Sequence, residues 1–424
     1  MHPNYAMSQN GKVSIIGGGV IGLCCAYYLR RAGREVEIFD KGKMEQGCSY
    51  GNAGMIVPSH FIPLAAPGMI TKGIKWMFDP RSPFYIKARL NWDLLTWGWK
   101  FYRASNQKQV QKSMPVLRDI SLLSKALYRD LARLPDFQFA FEEKGLLMLY
   151  KSQEAEAEER EMAHQAQQLG LEAVVYDAED LQKMEPDVQL NVRGGVHYPG
   201  DAHLAPELFL TSLKKHLQGR GVPFHAAHEI VGFHQHRGKI EAIETQHGRS
   251  KVDHLLIAGG TWSGQLVRQL KINLPLQAGK GYSITLKKPA KQLRYPAILT
   301  EAKVAVTPMN AQLRFGGTME IGGINHRINP KRVQGILQSI PQYLPDFQPS
   351  MPENDQIWHG LRPCSPDGLP YIGKSQRFSN LSIATGHAMM GLSLAPATGK
   401  LIAELLTDHA LSMELNALAP ERYG

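Results

Sequence analysis

The ordered pattern of the chain begins with an uncharged run, Val13 to Leu29, broken by a cluster of glycines. The run is too short and too interrupted to span a membrane. It predicts a buried strand over Lys12–Ile16 and a buried helix over Val20–Ala32, closed near Gly33. A second apolar strand, Glu35–Phe39, ends at Asp40, so the sheet starts as a parallel strand–helix–strand unit. Helical spacing predicts further helices over Pro115–Leu134, Ser152–Leu169, Leu204–Gln218, Pro330–Gln342 and Leu392–Leu406. Alternating or short apolar runs predict strands at Gly145–Tyr150, Gly194–Tyr198, Glu229–Phe233, Lys239–Thr245, Val252–Ala258, Pro275–Leu286, Ala297–Leu299, Ala302–Thr307, Gln312–Phe315 and Leu381–Ala384. Both ends of the chain therefore read as α/β and the middle as antiparallel. The expected fold class is α/β, a Rossmann-like nucleotide domain with an α+β substrate domain built on an antiparallel sheet. The expected division gives 1–65, 200–278 and 355–424 to the nucleotide domain, and 66–199 and 279–354 to the substrate domain.

Composition narrows the class without fixing it. The 424 residues are 43% hydrophobic and 20% charged, ordinary values for a soluble globular enzyme. The net charge of +10 fits nucleic acid, an anionic membrane surface or acidic small ligands. No basic cluster accompanies a nucleic-acid module, so nucleic acid is not an expected partner. The four cysteines, Cys24, Cys25, Cys48 and Cys364, show neither a paired framework nor metal-ligand spacing, so no metal is expected. The first ten residues lack the apolar core of a secretory signal, and a reducing, cytoplasmic compartment is expected.

The strongest chemical signal is Gly17, Gly19 and Gly22 between the first strand and helix. In this GxGxxG spacing the first glycine permits the tight turn, the second lets a pyrophosphate reach the backbone, and the third lets helix pack on strand. The helix start at Val20 and Ile21 adds amide donors for the phosphates. Asp40, followed by Lys41, ends the second strand where a carboxylate can accept from ribose hydroxyls, which argues against a 2′-phosphate. These residues leave FAD and NAD both open. A second glycine-rich strand-to-helix turn, Gly386 to Gly399, aims a helix start near Gly391 at an anion, which suits a flavin.

Four blocks carry a family resemblance: Val13–Gly22, GCSYGNAGMI from Gly47, GLRPCSPDGLPYIG from Gly360, and GHAMMGLSLAPATGK from Gly386. With KGYSITL from Lys280, the chain resembles, over nearly its whole length, the D-amino acid oxidase superfamily of FAD-dependent oxidoreductases. It is most similar to the D-amino acid dehydrogenase branch. The resemblance implies a glutathione-reductase-type nucleotide fold holding non-covalent FAD. It places Ser49, Asn52, Ala53 and Gly54 along the flavin and diphosphate, and Ile230 and Val231 at the adenine. Ala258, Gly259 and Trp262 would line the cleft, and His387, Ala388, Met390, Gly391, Leu392 and Ser393 would lie at the flavin ring. Arg362 would clamp the substrate carboxylate. A guanidinium fork suits that role, although a structural ion pair is the ordinary alternative for an arginine.

Further candidates for the substrate end are Tyr282, His60 and His387, with His326 a weaker one. Each has a packing alternative. The resemblance implies hydride transfer from Cα of a small amino acid to the flavin, with electrons passed to a quinone or another acceptor. D-Proline and hydroxy-D-proline are candidate substrates. Rival readings are an oxygen-using oxidase of the glycine or sarcosine type, oxidation of a 2-hydroxy acid, and a non-catalytic FAD-bearing subunit. Residues 69–103 hold Trp76, Trp92, Trp97 and Trp99 among many lysines and arginines. That mixture suits either peripheral contact with the inner face of the cell membrane or a packed helix pair.

Overall fold

A computed structural model describes residues 11–45, 47–68, 82–87 and 91–423. Strand Val13–Ile16, buried at every position, lies inside a six-stranded sheet. Its parallel neighbours are Val36–Phe39 and His254–Ile257. Leu381–Thr385 continues the parallel order, and Tyr371–Lys374 and Phe224–His225 form the edges. Helix Val20–Arg31 and helix Gly391–Leu406 pack together on this sheet. They meet closely because a Cβ on Gly399 would stand 2.5 Å from the Cys24 carbonyl oxygen. The second helix is buried nearly all round, as its apolar sequence requires.

A nine-stranded sheet forms the other half. Its path runs Trp358–Cys364, Gln277–Leu286, Gln312–Ile321, Val304–Met309, Ala297–Leu299, Leu146–Tyr150, Gly194–Tyr198 and Val174–Asp177, and Phe84–Ile86 pairs with Gln312–Ile321. A small three-stranded meander covers Ile230–Lys251.

Several expectations need correction. The helix expected at Pro115–Leu134 spans Gln107–Ala132, because Asn106 caps it through Gln109 N at 3.0 Å and Pro115 falls inside. This helix lies in the segment assigned to the substrate domain, yet Leu117, Ile120, Tyr128 and Leu131 join the core of the nucleotide half. Tyr128 Oη donates to Leu392 O at 2.7 Å. The strand expected at Val252–Ala258 is present as His254–Ile257, but a separate strand just before it was not expected. Gly248–Lys251 completes the meander and His254–Ile257 enters the parallel sheet. Asp253 sits at the switch and accepts from Lys12 N at 2.9 Å. Trp358–Cys364, expected with the nucleotide domain, pairs along Gln277–Leu286 of the large sheet. Gly360 and Pro363 hide the alternation of this strand. Among the described residues no helix is long and apolar enough to cross a membrane.

Candidate active site

A continuous cavity of roughly 1970 Å³ runs between the two sheets. Ligand pockets for a single small molecule are usually about 300–1,000 Å³, so this space is large enough for a dinucleotide and a small substrate together. Its floor is the first strand-to-helix turn. Gly17 has φ +117°, and a Cβ there would lie 2.4 Å from Ala258 O. A Cβ on Gly22 would lie 1.9 Å from Gly17 O. Gly19, by contrast, has no neighbour nearer than Ser49 Oγ, 3.7 Å from the place of a Cβ. Gly19 also starts helix Val20–Arg31 without a capping side chain. Two glycines are thus spent on packing and one faces open space beside helix amides, the arrangement that phosphates fit. The Asp40 carboxylate accepts from Gly18 N and from Gly42 N, each at 2.7 Å, which fixes the turn at the end of the second strand.

The loop from Gly47 to Gly54 forms one wall. Ser49 Oγ accepts from Val20 N at 3.2 Å, and Asn52 Oδ1 accepts from Gly54 N at 2.9 Å. The large sheet braces this loop. Arg314, 3% exposed, donates to Tyr50 O at 3.1 Å, to Asn52 O at 2.9 Å and to Glu207 at 2.7 Å. Ser283 Oγ donates to Gly51 O at 2.9 Å. At the opposite wall Lys41 Nζ stands 3.5 Å above the Trp262 ring. At the far end the helix start Gly391–Ser393 lines the cavity without a side-chain cap. His387 lies beside it, and burial pulls its pKa down to about 3. Its Nε2 bonds Thr398 Oγ1 at 2.9 Å while Nδ1 has no protein partner. An uncapped helix start and an orphaned ring nitrogen form a donor and acceptor set that fits a flavin.

Arg362 sits in strand Trp358–Cys364, opposite Gly279. Directly opposed residues of an antiparallel pair share a face, so Gly279, Gly281, Ser283, Gly360 and Arg362 all point to the cavity side. Gly281 makes room for the guanidinium, since a Cβ there would lie 2.2 Å from Arg362 Nη2. Nη1 donates to Thr318 O at 2.5 Å. The thiols Cys48 and Cys364 lie near it, raised by burial to about 11 and about 12 and therefore neutral. No carboxylate among the described residues pairs with Arg362. Burial lowers its pKa, yet a guanidinium stays charged, so a cation with no carboxylate partner among the described residues faces the cavity. Thr318 lies at a bulge with φ +63°, an uncommon conformation for a β-branched residue. That turn aims its carbonyl at Arg362.

The structure does not bring Tyr282 to Arg362. Tyr282 lies on the opposite face, and its hydroxyl takes Asn329 N–H at 3.1 Å and approaches Glu320 at 3.5 Å. Its ring is buried among the apolar residues of the large sheet, and it also lines the cavity. Of the two residues expected at the adenine by backbone contacts, Ile230 lines the cavity and the Val231 side chain turns away from it. Val231 is 53% exposed, because strand alternation turns Ile230 inward and Val231 outward. Gly22 and Gly54 stand behind the wall. Gly17, Gly19, Val20, Ile21, Asp40, Lys41, Ser49, Asn52, Ala53, Ile230, Ala258, Gly259, Trp262, Arg362, His387, Ala388, Met390, Gly391, Leu392 and Ser393 all line the cavity. His60 lines it too, lowered by burial to about 4. His326 stacks on Trp262 at 6.3 Å, at the cleft wall.

Sequence reasoning missed Arg314, Thr318, Ser59, Asp201 and Glu159. Glu159 is 7% exposed, lines the cavity and has a pKa raised by burial to about 7. A charge set at a core position of a helix or strand pattern was the signal available for Arg314 and Glu159. Of residues 69–103, 69–81 and 88–90 lie outside the described residues. Helix Trp92–Ala104 is described, and it is pinned by Trp97, whose Nε1 donates to Cys364 O at 2.9 Å. Trp92, Leu95, Trp99 and Tyr102, spaced along one face, are 80%, 54%, 61% and 61% exposed.

The family model described as FAD dependent oxidoreductase matches residues 12–405. A D-amino acid dehydrogenase of Granulibacter bethesdensis is 30% identical, over 97% of this chain and 100% of that protein. Among solved structures, glycine oxidase from Geobacillus kaustophilus superposes with a TM-score of 0.77 at 22% identity, covering 97% of this chain and 99% of that one. L-Proline dehydrogenase from P. horikoshii gives a TM-score of 0.77 at 17% identity, covering 98% of both chains. The last two share the fold.

Proposed function

Because the chain belongs to the FAD-dependent oxidoreductase family, we propose that it oxidises the carbon–nitrogen bond of a small D-amino acid and passes the electrons to a quinone or another acceptor. The observation that carries this reading is the Arg362 guanidinium, without a carboxylate partner among the described residues, on the cavity side of the large sheet in a glycine-lined crevice. Bound FAD supplies a two-electron acceptor.

The chain's own residues do the rest. Gly17, Gly19 and the start of helix Val20–Arg31 hold the diphosphate, and Asp40 fixes their turn. Ser49, Asn52 and Ala53 hold the flavin side, with His387 and Gly391–Ser393 at its far edge. Arg362 grips the substrate carboxylate with a fork whose direction Thr318 O and Gly281 set. Holding two reacting atoms about 3–3.5 Å apart is the main contribution such a site makes. The apolar walls, Met148, Ile298 and Met390, keep water from the reacting centre. This proposal also rests on the division into a nucleotide half and a substrate half.

The exposed Trp92–Tyr102 face supports peripheral contact with a lipid surface, which would bring the acceptor within reach. Aromatics that end in polar atoms suit the headgroup level. Anaerobic bleaching of the purified yellow protein by a panel of D-amino acids, including D-proline and cis-4-hydroxy-D-proline, tests the central reading. Bleaching by L-isomers alone, or by none of the panel, overturns it. Peroxide formation in air at the rate of turnover would assign oxygen as the acceptor.

A further inference from the structure

Beside the reading just given, and resting on it, stands a hydrogen-bonded chain that runs from the protein interior to the cavity. Ser59 donates its backbone N–H to Asp201 Oδ1 at 3.0 Å and its hydroxyl to Asp201 Oδ2 at 2.5 Å. Ser59 Oγ also lies 3.2 Å from Nδ1 of His60. Asp201 is 1% exposed and Ser59 is 7% exposed. His60 lines the cavity, and its Nε2 has no hydrogen-bond partner among the described residues. A hydroxyl has one proton to give. If Ser59 gives it to the carboxylate, its oxygen accepts from His60, and Nδ1 must carry the ring proton. The other ring nitrogen then presents a bare lone pair.

We infer that Asp201 and Ser59 are positioning residues that hold His60 as the Nδ1–H tautomer, so that Nε2 accepts a hydrogen bond from a donor on the substrate. The donor chemistry is an N–H or O–H of the bound amino acid, from its amine or from a side-chain hydroxyl. The low pKa of His60, about 4, keeps the ring neutral, so it accepts at physiological pH. Burial raises Asp201 to about 7 against the pull of its two Ser59 bonds and of Lys125. Above that pH the carboxylate accepts, and the chain points as described. Below it Asp201 gains a proton, can donate to Ser59 and turns the hydroxyl toward His60, which reverses the chain. The charged and titratable groups facing this chain are Lys125 and Tyr198 at Asp201, and Lys303 at His60.

The test is the ¹⁵N spectrum of His60 in the flavin-loaded enzyme, assigned by its loss in His60→Gln. The expected result is a protonated Nδ1 and a bare Nε2 at pH 8. A protonated Nε2 in the wild type at that pH overturns the inference. Asp201→Asn keeps the shape but must give an N–H to Ser59, so the tautomer should invert and kcat/KM should fall at least about tenfold. Should that variant not fold, Ser59→Ala serves: kcat/KM falls about threefold to tenfold, the loss expected of one neutral hydrogen bond. His60→Gln, which keeps an acceptor oxygen, should retain more activity than His60→Leu, and equal loss in both would count against the acceptor role. Comparing D-proline with cis-4-hydroxy-D-proline locates the donor. Equal losses assign the amine, and a loss confined to the hydroxylated substrate assigns the hydroxyl. If no amino acid bleaches the flavin, the functional reading fails while the tautomer measurement still stands.

Discussion

The two ends of the cavity are built on different principles. The nucleotide end is made of backbone. Gly17 and Gly22 are there for what they lack, and a single turn of chain supplies the donors. The end around Arg362, the proposed substrate end, depends on side chains drawn from distant strands. Arg362 is held by Thr318 of another strand, and Asp201 reaches His60 through Ser59, contacts that form only in the folded protein. A site made of backbone tolerates almost no added atoms. A site made of side chains tolerates exchange and loses function in graded steps.

That contrast can be tested in order of expected effect. Gly22→Val should be the most severe change. Its Cβ has nowhere to go beside Gly17 O, so the purified protein should be colourless or insoluble, as read by the flavin-to-protein absorbance ratio. A soluble yellow Gly22→Val protein would break the comparison. Arg362→Met should leave flavin content unchanged and lower kcat/KM about 100-fold or more, because a charged hydrogen bond contributes about 1.5–3 kcal/mol and this fork makes two. Gly281→Ala sharpens the same point by pushing the guanidinium aside without removing it, and steady-state kinetics should show a raised KM at near-normal flavin content.

Glu159 offers a pH test. Its folded pKa, about 7, is raised above the ordinary 4.5 by burial, so its contribution to stability is full below pH 4.5 and is lost as pH rises through 7. Glu159→Gln should remove that loss and stabilise the protein at pH 8 by about 3 kcal/mol, with little effect at pH 4.5, in chemical denaturation at both pH values. The smallest effect is expected of Thr318→Gly. It relieves the positive φ and should raise stability by about 1 kcal/mol, net of the entropy glycine adds to the unfolded chain. It should also loosen Arg362 and raise KM slightly.

The same contrast explains what could be read in the sequence. The strand–helix–strand start, the closing helix, the Gly17–Gly22 turn and Asp40 follow from local spacing, because local backbone makes them, whereas Ser49–Gly54, Ile230, Ala258–Trp262 and His387–Ser393 were legible only through the family blocks. Arg362 was legible only through its family block. Tyr282 lines the cavity but on the face away from Arg362, because strand parity, set by pairing with Trp358–Cys364, decides its side, and the alternation of that strand is hidden by Gly360 and Pro363. Asp201 and Ser59 are 142 residues apart, and nothing in either neighbourhood points to the other. Helix Gln107–Ala132 packs on the core of the nucleotide half although it lies in the segment expected for the substrate domain, because its sequence shows an apolar stripe but not what the stripe covers.

The parallel sheet places Val13–Ile16 beside His254–Ile257, which in turn borders Leu381–Thr385. During synthesis the first strand therefore leaves the ribosome long before either later strand exists, and its apolar edge must wait, shielded by whatever helices have already formed. A chain interrupted before the closing helix would carry the glycine turn but not the far wall of the crevice. Yellow colour in a partially translated product would thus be absent until helix Gly391–Leu406 had emerged.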